Sequence, residues 1–193
     1  MEEERSLLDR VSRGDDEAFA ELFYRYQPRV ARFAARMTRR PDLVDEIVND
    51  TMVVVWRRAA AFRGDSRVST WILGIAYRTA LKRLRRAARH LSEALPEDLP
   101  QPADDDPEAH ARRVQSRALV RRALARLSPP HRAVVELAFF EELSYTEIAR
   151  IVGCPPNTVK TRMYHARRNL RRILRILDAK PAVQRSRADD PSS

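Results

Sequence analysis

The stretch from Leu143 to Leu177, LSYTEIARIVGCPPNTVKTRMYHARRNLRRILRIL, leaves few options for its fold. Ser144 and Glu147 match the S-x-x-E capping box, in which a hydroxyl and a carboxylate each satisfy a free backbone N–H of a starting helix. Ile148, Ala149 and Val152 give that helix one apolar side. Gly153 stands where a helix closes on a left-handed residue, and Pro155 and Pro156 cannot continue a helix but can open the next. From Asn157 onward Val159, Met163, Ala166, Leu170, Ile173, Leu174 and Leu177 recur three and four apart, which predicts a long second helix. Its other side carries Asn157, Lys160, Thr161, Tyr164, His165 and Arg168. Two helices with this turn form a helix-turn-helix, and the second has the shape and polarity to lie in a DNA major groove. The stretch holds eight basic residues against one acid, Glu147, a balance of +7 that suits phosphate binding.

The whole chain, 193 residues with a formal charge of +10, has room for one ordinary domain or two small ones and favours an anionic partner. No apolar run approaches the roughly 18–20 residues that span a bilayer. The opening MEEERSLLDR lacks the basic-then-apolar order of a signal peptide, so a cytoplasmic location is expected. Cys154 is the sole cysteine, and its expected role is a small residue filling a turn. His90, His110, His131 and His165 are scattered without metal-ligand spacing, and neither a phosphate-binding loop nor a nucleophile motif occurs. The expectation is a binding protein rather than an enzyme, with no metal or cofactor. Sustained alternation and hairpin dipeptides are missing, so the chain reads as all-α.

In chain order, residues 5–13 predict a short helix ending at Gly14, and Asp15 or Asp16 caps the next. That helix has Phe19, Leu22, Phe23, Tyr26, Val30, Phe33 and Met37 along one side, and Pro28 is expected to kink or split it. Asp42 is the expected cap of DLVDEIVNDTMVVVWRRA, in which Leu43, Ile47, Val54 and Val55 face a core. Asp45, Glu46, Asn49 and Asp50 form an acidic stripe at helical spacing. It either balances charge near the helix N-terminus or docks a basic surface of a partner. Phe62 to Arg67 reads as a polar loop, with Ser69 capping a helix that carries Trp71, Ile72, Ile75, Ala76, Leu81 and Leu84. Between Arg63 and Arg89 eight bases face only Asp65, again +7. Aromatic rings beside such a helix can stack on unpaired bases, whereas Trp56 is expected in the core.

Residues 91–111, LSEALPEDLPQPADDDPEAHA, contain seven acids, four prolines and no base. Such a composition builds no core and predicts an acidic, Pro-rich tether between two basic units. Helices resume near Arg112, and Ser128-Pro129-Pro130 starts the helix that leads into the helix-turn-helix. The expected organisation is therefore a helical domain over 1–90, a linker over 91–111, a helix-turn-helix domain over 112–177, and a disordered tail over 178–193.

This order of parts resembles the bacterial RNA polymerase sigma factors, specifically the small extracytoplasmic-function (ECF) class. DLVDEIVNDTMVVVW looks like the core-binding helix of that family. FRGDSRVSTWILGIAYRTALKRLRR resembles its promoter-melting and −10 segment, and LSPPHRAVVELAFFEELSYTEIARIVGCPPNTVKTRMYHARRNL its −35 reader. The likeness covers roughly residues 15–90 and 112–177. It departs from the family at Arg78 and Lys82, where members often carry Asn and Asp, and at the Pro-Pro-Asn before Thr158.

The resemblance implies a role for each segment. Asp45, Glu46, Asn49 and Asp50, with Ile47 and Val48, would hold the beta-prime subunit of core RNA polymerase, whose beta subunit is a further expected contact. Phe62, Arg63, Asp65, Ser66 and Arg67 would cradle a flipped base, and Ser69, Trp71, Arg78, Lys82 and Arg85 would grip the −10 element. Lys160, Thr161, Tyr164 and His165 would meet base edges or adjacent backbone of the −35 element, with Thr146, Thr158, Arg162 and Arg168 on phosphates. Core polymerase, promoter DNA and an anti-sigma factor are the implied partners. The other reading is a stand-alone helix-turn-helix regulator that binds DNA as a dimer. Neutralising the acidic stripe separates the two, since only a sigma factor needs it for polymerase.

Overall fold

The computed structural model describes residues 2–38, 40–90 and 118–179, and every regular element among them is helical. Helix α1 spans Glu2–Ser12, α2 Asp16–Met37, α3 Pro41–Arg58 and α4 Val68–His90, with a 3-10 turn at Ala59–Ala61. Helix α5 covers residues 118–125, α6 Pro129–Phe139, α7 Tyr145–Val152 and α8 Pro156–Ala179. The linker expected at 91–111, residues 112–117 and most of the expected tail lie outside the described residues.

Local signals place most of these boundaries. Gly14 takes φ +85 after α1. The Asp15 carboxylate accepts from the Ala18 N–H at 2.9 Å and so caps α2. Ser128 precedes Pro129 at the first turn of α6, although its hydroxyl turns to His131 Nδ1 at 2.9 Å and leaves the backbone uncapped.

Three expectations are corrected. Of the kink or split expected at Pro28, the split does not occur, and α2 runs unbroken through it. Both Pro28 and Tyr24, the residue whose carbonyl loses its N–H partner, are exposed, so water can take that carbonyl. Asp42 does not cap α3: Arg40 holds the cap position, Pro41 opens the helix, and Asp42 pairs with Arg40 from within the first turn. Ser69 is not a cap either. The Arg67 carbonyl accepts the first helical bond, from Trp71 N at 3.1 Å, and Ser69 is buried inside the turn.

Helices α1–α4 pack around Leu8, Leu22, Phe33, Ile47 and Ile72, and α5–α8 around Leu124, Leu137, Ile148, Val159 and Met163. Burying each such side chain contributes roughly 1.5–3 kcal/mol. Trp56 is half-buried, edge-on to Phe19 with ring centroids 4.9 Å apart. The two sets belong to one continuous apolar cluster, because α7 lies on α4 and α6 touches α2. Helix α7 passes α4 at Gly74, where a Cβ would sit at ordinary contact distance, 3.8 Å, from the Ile151 Cα.

Charged side chains also cross between the halves. The buried Arg132 of α6 donates from Nη1 to the Met37 carbonyl at the end of α2, at 2.7 Å. Its other nitrogens serve the end of α5, with Nε on Leu124 O at 2.9 Å and Nη2 on Leu127 O at 3.2 Å and on Ala125 O. Arg29 meets Glu141 at 2.7 Å. Arg36 lies 3.6 Å from both Glu136 and Glu141 and stacks 4.2 Å over the Phe140 ring.

Candidate nucleic-acid interface

The helix-turn-helix is fixed from both ends of its turn. Ser144 N–H donates to Glu147 Oε2 at 2.9 Å, and Glu147 N–H to Ser144 Oγ at 3.3 Å, so both halves of the capping box form. Hydrogen bonds from the Ser144 side chain and backbone hold the Glu147 carboxyl below its usual range. Gly153, at φ +69, donates to Ala149 O at 2.9 Å and turns the chain toward Pro156, which opens α8. Any residue with a Cβ would be strained at that φ.

On α8, Val159, Met163 and Ala166 are sealed against the core, while Asn157, Lys160, Thr161, Tyr164 and Arg168 are exposed. Tyr164 is the most open of the large apolar groups on this helix, at 64%. His165 and Thr158 are half-buried, and Thr146 on α7 is exposed. Seven of the eight residues expected at the −35 element thus share the surface of α8 and the start of α7. Arg162 departs from them. It is half-buried, its Nη1 is fully enclosed without a hydrogen bond, and its charge reaches the Tyr77 hydroxyl on α4. Burial raises the Tyr77 pKa and nearby Arg162 opposes that rise. His131 faces His165 at 6.3 Å, and burial, then His165 and Arg162, lower its pKa.

The second basic surface begins at the loop after the 3-10 turn. Phe62 N–H donates to Ala59 O at 3.1 Å, and Gly64, at φ +77, offers its carbonyl to Arg5 at 2.8 Å. Phe62 and Trp71 are half-buried, with centroids 5.5 Å apart, so the two rings brace the loop against α4. Arg63, Asp65 and Arg67 are exposed and Ser66 is half-exposed. Farther along α4, Arg78, Lys82, Arg85 and Arg89 with Leu81 line one open concavity. Ser69 is buried and stands apart from this surface.

The acidic stripe on α3 is real but narrower than expected. Asp45, Glu46 and Asn49 are exposed and Asp50 is half-exposed. Ile47 at 0% and Val48 at 5% point into the core, so neither presents a contact surface. Sequence reading missed two further members. Val53, one turn past Asn49, is exposed at 45%, and Arg83 crosses from α4 to pair with Asp50 at 2.7 Å and with Glu46. The i, i+4, i+8 spacing of Asp45, Asn49 and Val53 is the signal that locates Val53. Nothing local signals Arg83, whose partners lie more than thirty residues away.

An exposed acidic stripe and a basic loop on one helical unit thus stand beside a capped helix-turn-helix. Two family descriptions match the chain: Sigma-70 region 2 over residues 22–90 and Sigma-70, region 4 over residues 117–170. The ECF RNA polymerase sigma factor SigM of Mycobacterium tuberculosis is 34% identical over 172 residues, covering 89% of this chain and 85% of that protein. The ECF RNA polymerase sigma factor RpoE of Cereibacter sphaeroides is 34% identical over 160 residues, 81% of this chain and 86% of that protein. Among solved structures, CnrH in complex with the cytosolic domain of CnrY is similar with a TM-score of 0.64 and 25% identity, over 91% of this chain and 97% of that one. The sigma factor RpoE of Bartonella quintana, solved with the anti-sigma factor NepR, shares the fold with a TM-score of 0.65 and 22% identity over 82% of this chain and 97% of that one.

The chain belongs to the ECF RNA polymerase sigma factors. Its function is to direct promoter-specific transcription initiation. Nothing favours the stand-alone dimeric regulator. No helix among the described residues is long and apolar enough to cross a membrane.

Proposed function

We propose that the three surfaces divide the work of initiation. The stripe of Asp45, Glu46, Asn49 and Asp50, extended by Val53, docks on a basic surface of the polymerase beta-prime subunit. The loop of Phe62, Arg63, Asp65, Ser66 and Arg67, with Trp71, Arg78, Lys82 and Arg85 on α4, binds the opened −10 strand. Unstacking a base costs a few kcal/mol, which ring stacking and phosphate contacts offset. Helix α8 reads the −35 element through Lys160, Thr161, Tyr164 and His165, while Thr146, Thr158 and Arg168 hold its phosphates. Ser69, Ile47 and Val48 support these surfaces from inside.

One observation carries the −35 assignment: Lys160, Thr161, Tyr164 and Arg168 are exposed on one face of a helix whose opposite face is sealed by Val159, Met163 and Ala166. A protein partner that restrains the factor, of the anti-sigma kind, fits the likeness to CnrH, which was solved bound to the cytosolic domain of CnrY. The experiment is run-off transcription with purified core polymerase on a promoter-fragment library. Transcripts that require this chain, and that vanish on triple neutralisation of Asp45, Glu46 and Asp50, are expected. Transcripts that survive the neutralisation would overturn the assignment of the stripe.

A further inference from the structure

The start of α6 and the middle of α8 bring two imidazoles together. His131, in the first turn of α6, faces His165 on α8 with ring centroids 6.3 Å apart, too far for the rings to hydrogen-bond each other. Ser128 occupies the cap position of α6, yet its hydroxyl meets His131 Nδ1 at 2.9 Å instead of capping the backbone. That bond orients the ring and leaves Nε2 for another partner. A hydroxyl serves either form of the ring, donating to an unprotonated Nδ1 or accepting from a protonated one. The ring is therefore held whether or not it is charged. On the far side of the pair, Tyr164 stands edge-on to His165 at 5.5 Å.

The charges around this pair are all of one sign. Those that act on His131 are His165 and Arg162, both on α8. Its chain neighbour Arg132 turns away, to carbonyls at the ends of α2 and α5. Among the described residues no carboxylate acts on the ring. The positive end of the α6 dipole weighs on the same side. Burial first, then His165 and Arg162, lowers the His131 pKa from its ordinary 6.5. An imidazolium at this place lacks an anion, and His165 shares its helix with the exposed Lys160, Thr161, Tyr164 and Arg168. Where that helix meets duplex DNA, the missing anion is a backbone phosphate.

We propose that His131 is a further −35 contact, and that the His131–His165 pair takes up a proton as a DNA phosphate closes on it. The inference rests on the reading of α8 given under Proposed function. Promoter affinity then depends on pH in a defined direction. The free His131 ring loses its proton with a midpoint below 6.5, and a phosphate beside it raises that midpoint in the complex. Between the two midpoints binding consumes a proton, so affinity falls as pH rises through that window. One proton limits the fall to about tenfold per pH unit.

The probe is a promoter fragment recovered in the run-off assay, bound by core polymerase reconstituted with the wild-type chain or a variant. Its dissociation constant is measured from about pH 6 to about pH 8, the range in which imidazole titrates. Wild-type affinity should fall several-fold across that range relative to His131→Gln, a ratio in which the polymerase's own pH dependence cancels. His131→Lys, charged throughout, should run parallel to His131→Gln and bind several-fold more tightly at the upper end. Both differences should disappear on a fragment that begins just downstream of the −35 element. Parallel curves for wild type and His131→Gln would overturn the inference and leave the −35 reading intact. So would a His131→Lys no tighter than His131→Gln, or a pH difference that persists on the shortened fragment. A chain that supports no polymerase-dependent transcript removes the −35 reading itself, and the inference with it.

Discussion

Helices α4 and α8 carry the same kind of basic excess, yet the fold uses their charges differently. On α4, Arg83 is committed to Asp50 and Glu46 of α3, while Arg78, Lys82, Arg85, Arg86 and Arg89 remain exposed. On α8, among the described residues, no base enters an ion pair, and only Arg162 is drawn inward. Arg132 on α6 completes the series, since it is fully interior and serves backbone carbonyls. Equal net charge therefore hides three functions, and how far a base is enclosed decides what its loss does. Interior bases hold the fold, bridging bases align helices, and exposed bases stay available to a ligand.

That ranking can be broken at its top first. Arg132→Ala removes the guanidinium that links four carbonyls on α2 and the end of α5, and leaves them enclosed. A loss of roughly 3 kcal/mol or more is expected in urea unfolding. Arg132→Lys should recover only part of it, because an ammonium lacks the planar fork.

Glu136 is the acidic counterpart. It is 1% exposed, and burial pushes its carboxyl up to about 7, with Arg36 and Arg132 opposing and Glu141 adding to the rise. Its pKa is therefore higher folded than unfolded. Below the unfolded value both states are protonated and the fold suffers no penalty. As pH rises through about 7 the folded carboxyl ionises, and the penalty reaches on the order of 3 kcal/mol. Glu136→Gln should raise thermal stability at pH 8 and do little near pH 4.5. An equal gain at both would show that ionisation is not the cause.

Arg83→Ala tests the middle rank. Its partners are partly exposed, so a loss of about 0.5–1 kcal/mol is expected, seen as a small fall in the melting temperature. Lys160→Ala sits at the bottom for stability, within about 0.5 kcal/mol of wild type. If Lys160 holds a phosphate, the salt slope of −35 binding should fall by about one, whereas a base contact would relax specificity at one position. A Lys160→Ala chain that melts early but binds unchanged would invert the comparison.

What could be read in the sequence follows the same division. Ser144, Glu147 and Gly153 act on the backbone within a few residues and their roles were legible from spacing, while the structure chooses Asp15 over Asp16 and Pro156 over Pro155. The exposed face of α8 followed from its 3.6-residue period. Arg132, Glu136 and Arg83 were not legible, because their partners come from helices distant in sequence and charged residues default to the surface. Ile151 was passed over for a related reason: α7 is apolar on two sides, one for its own unit and one for α4. Ser69 looked like a cap because its type favours caps, but Arg67 holds the first helical bond. Ile47 and Val48 joined the docking stripe only through their neighbours in sequence, which on a helix point elsewhere.

If Thr161 on the exposed face of α8 meets a base edge, as proposed for the −35 element, it bears on which promoters suit this chain. Its hydroxyl proton is already donated to the Asn157 carbonyl of its own helix, at 3.0 Å. Toward a groove it therefore presents a lone pair and a methyl group but no proton. A base edge that must receive a hydrogen bond, as guanine does at N7 and O6, gains nothing from such a side chain. The amino groups of adenine and cytosine can donate to it, and the thymine methyl can rest against it. On that proposal, while the hydroxyl keeps its bond to the Asn157 carbonyl, this one position favours a base other than guanine.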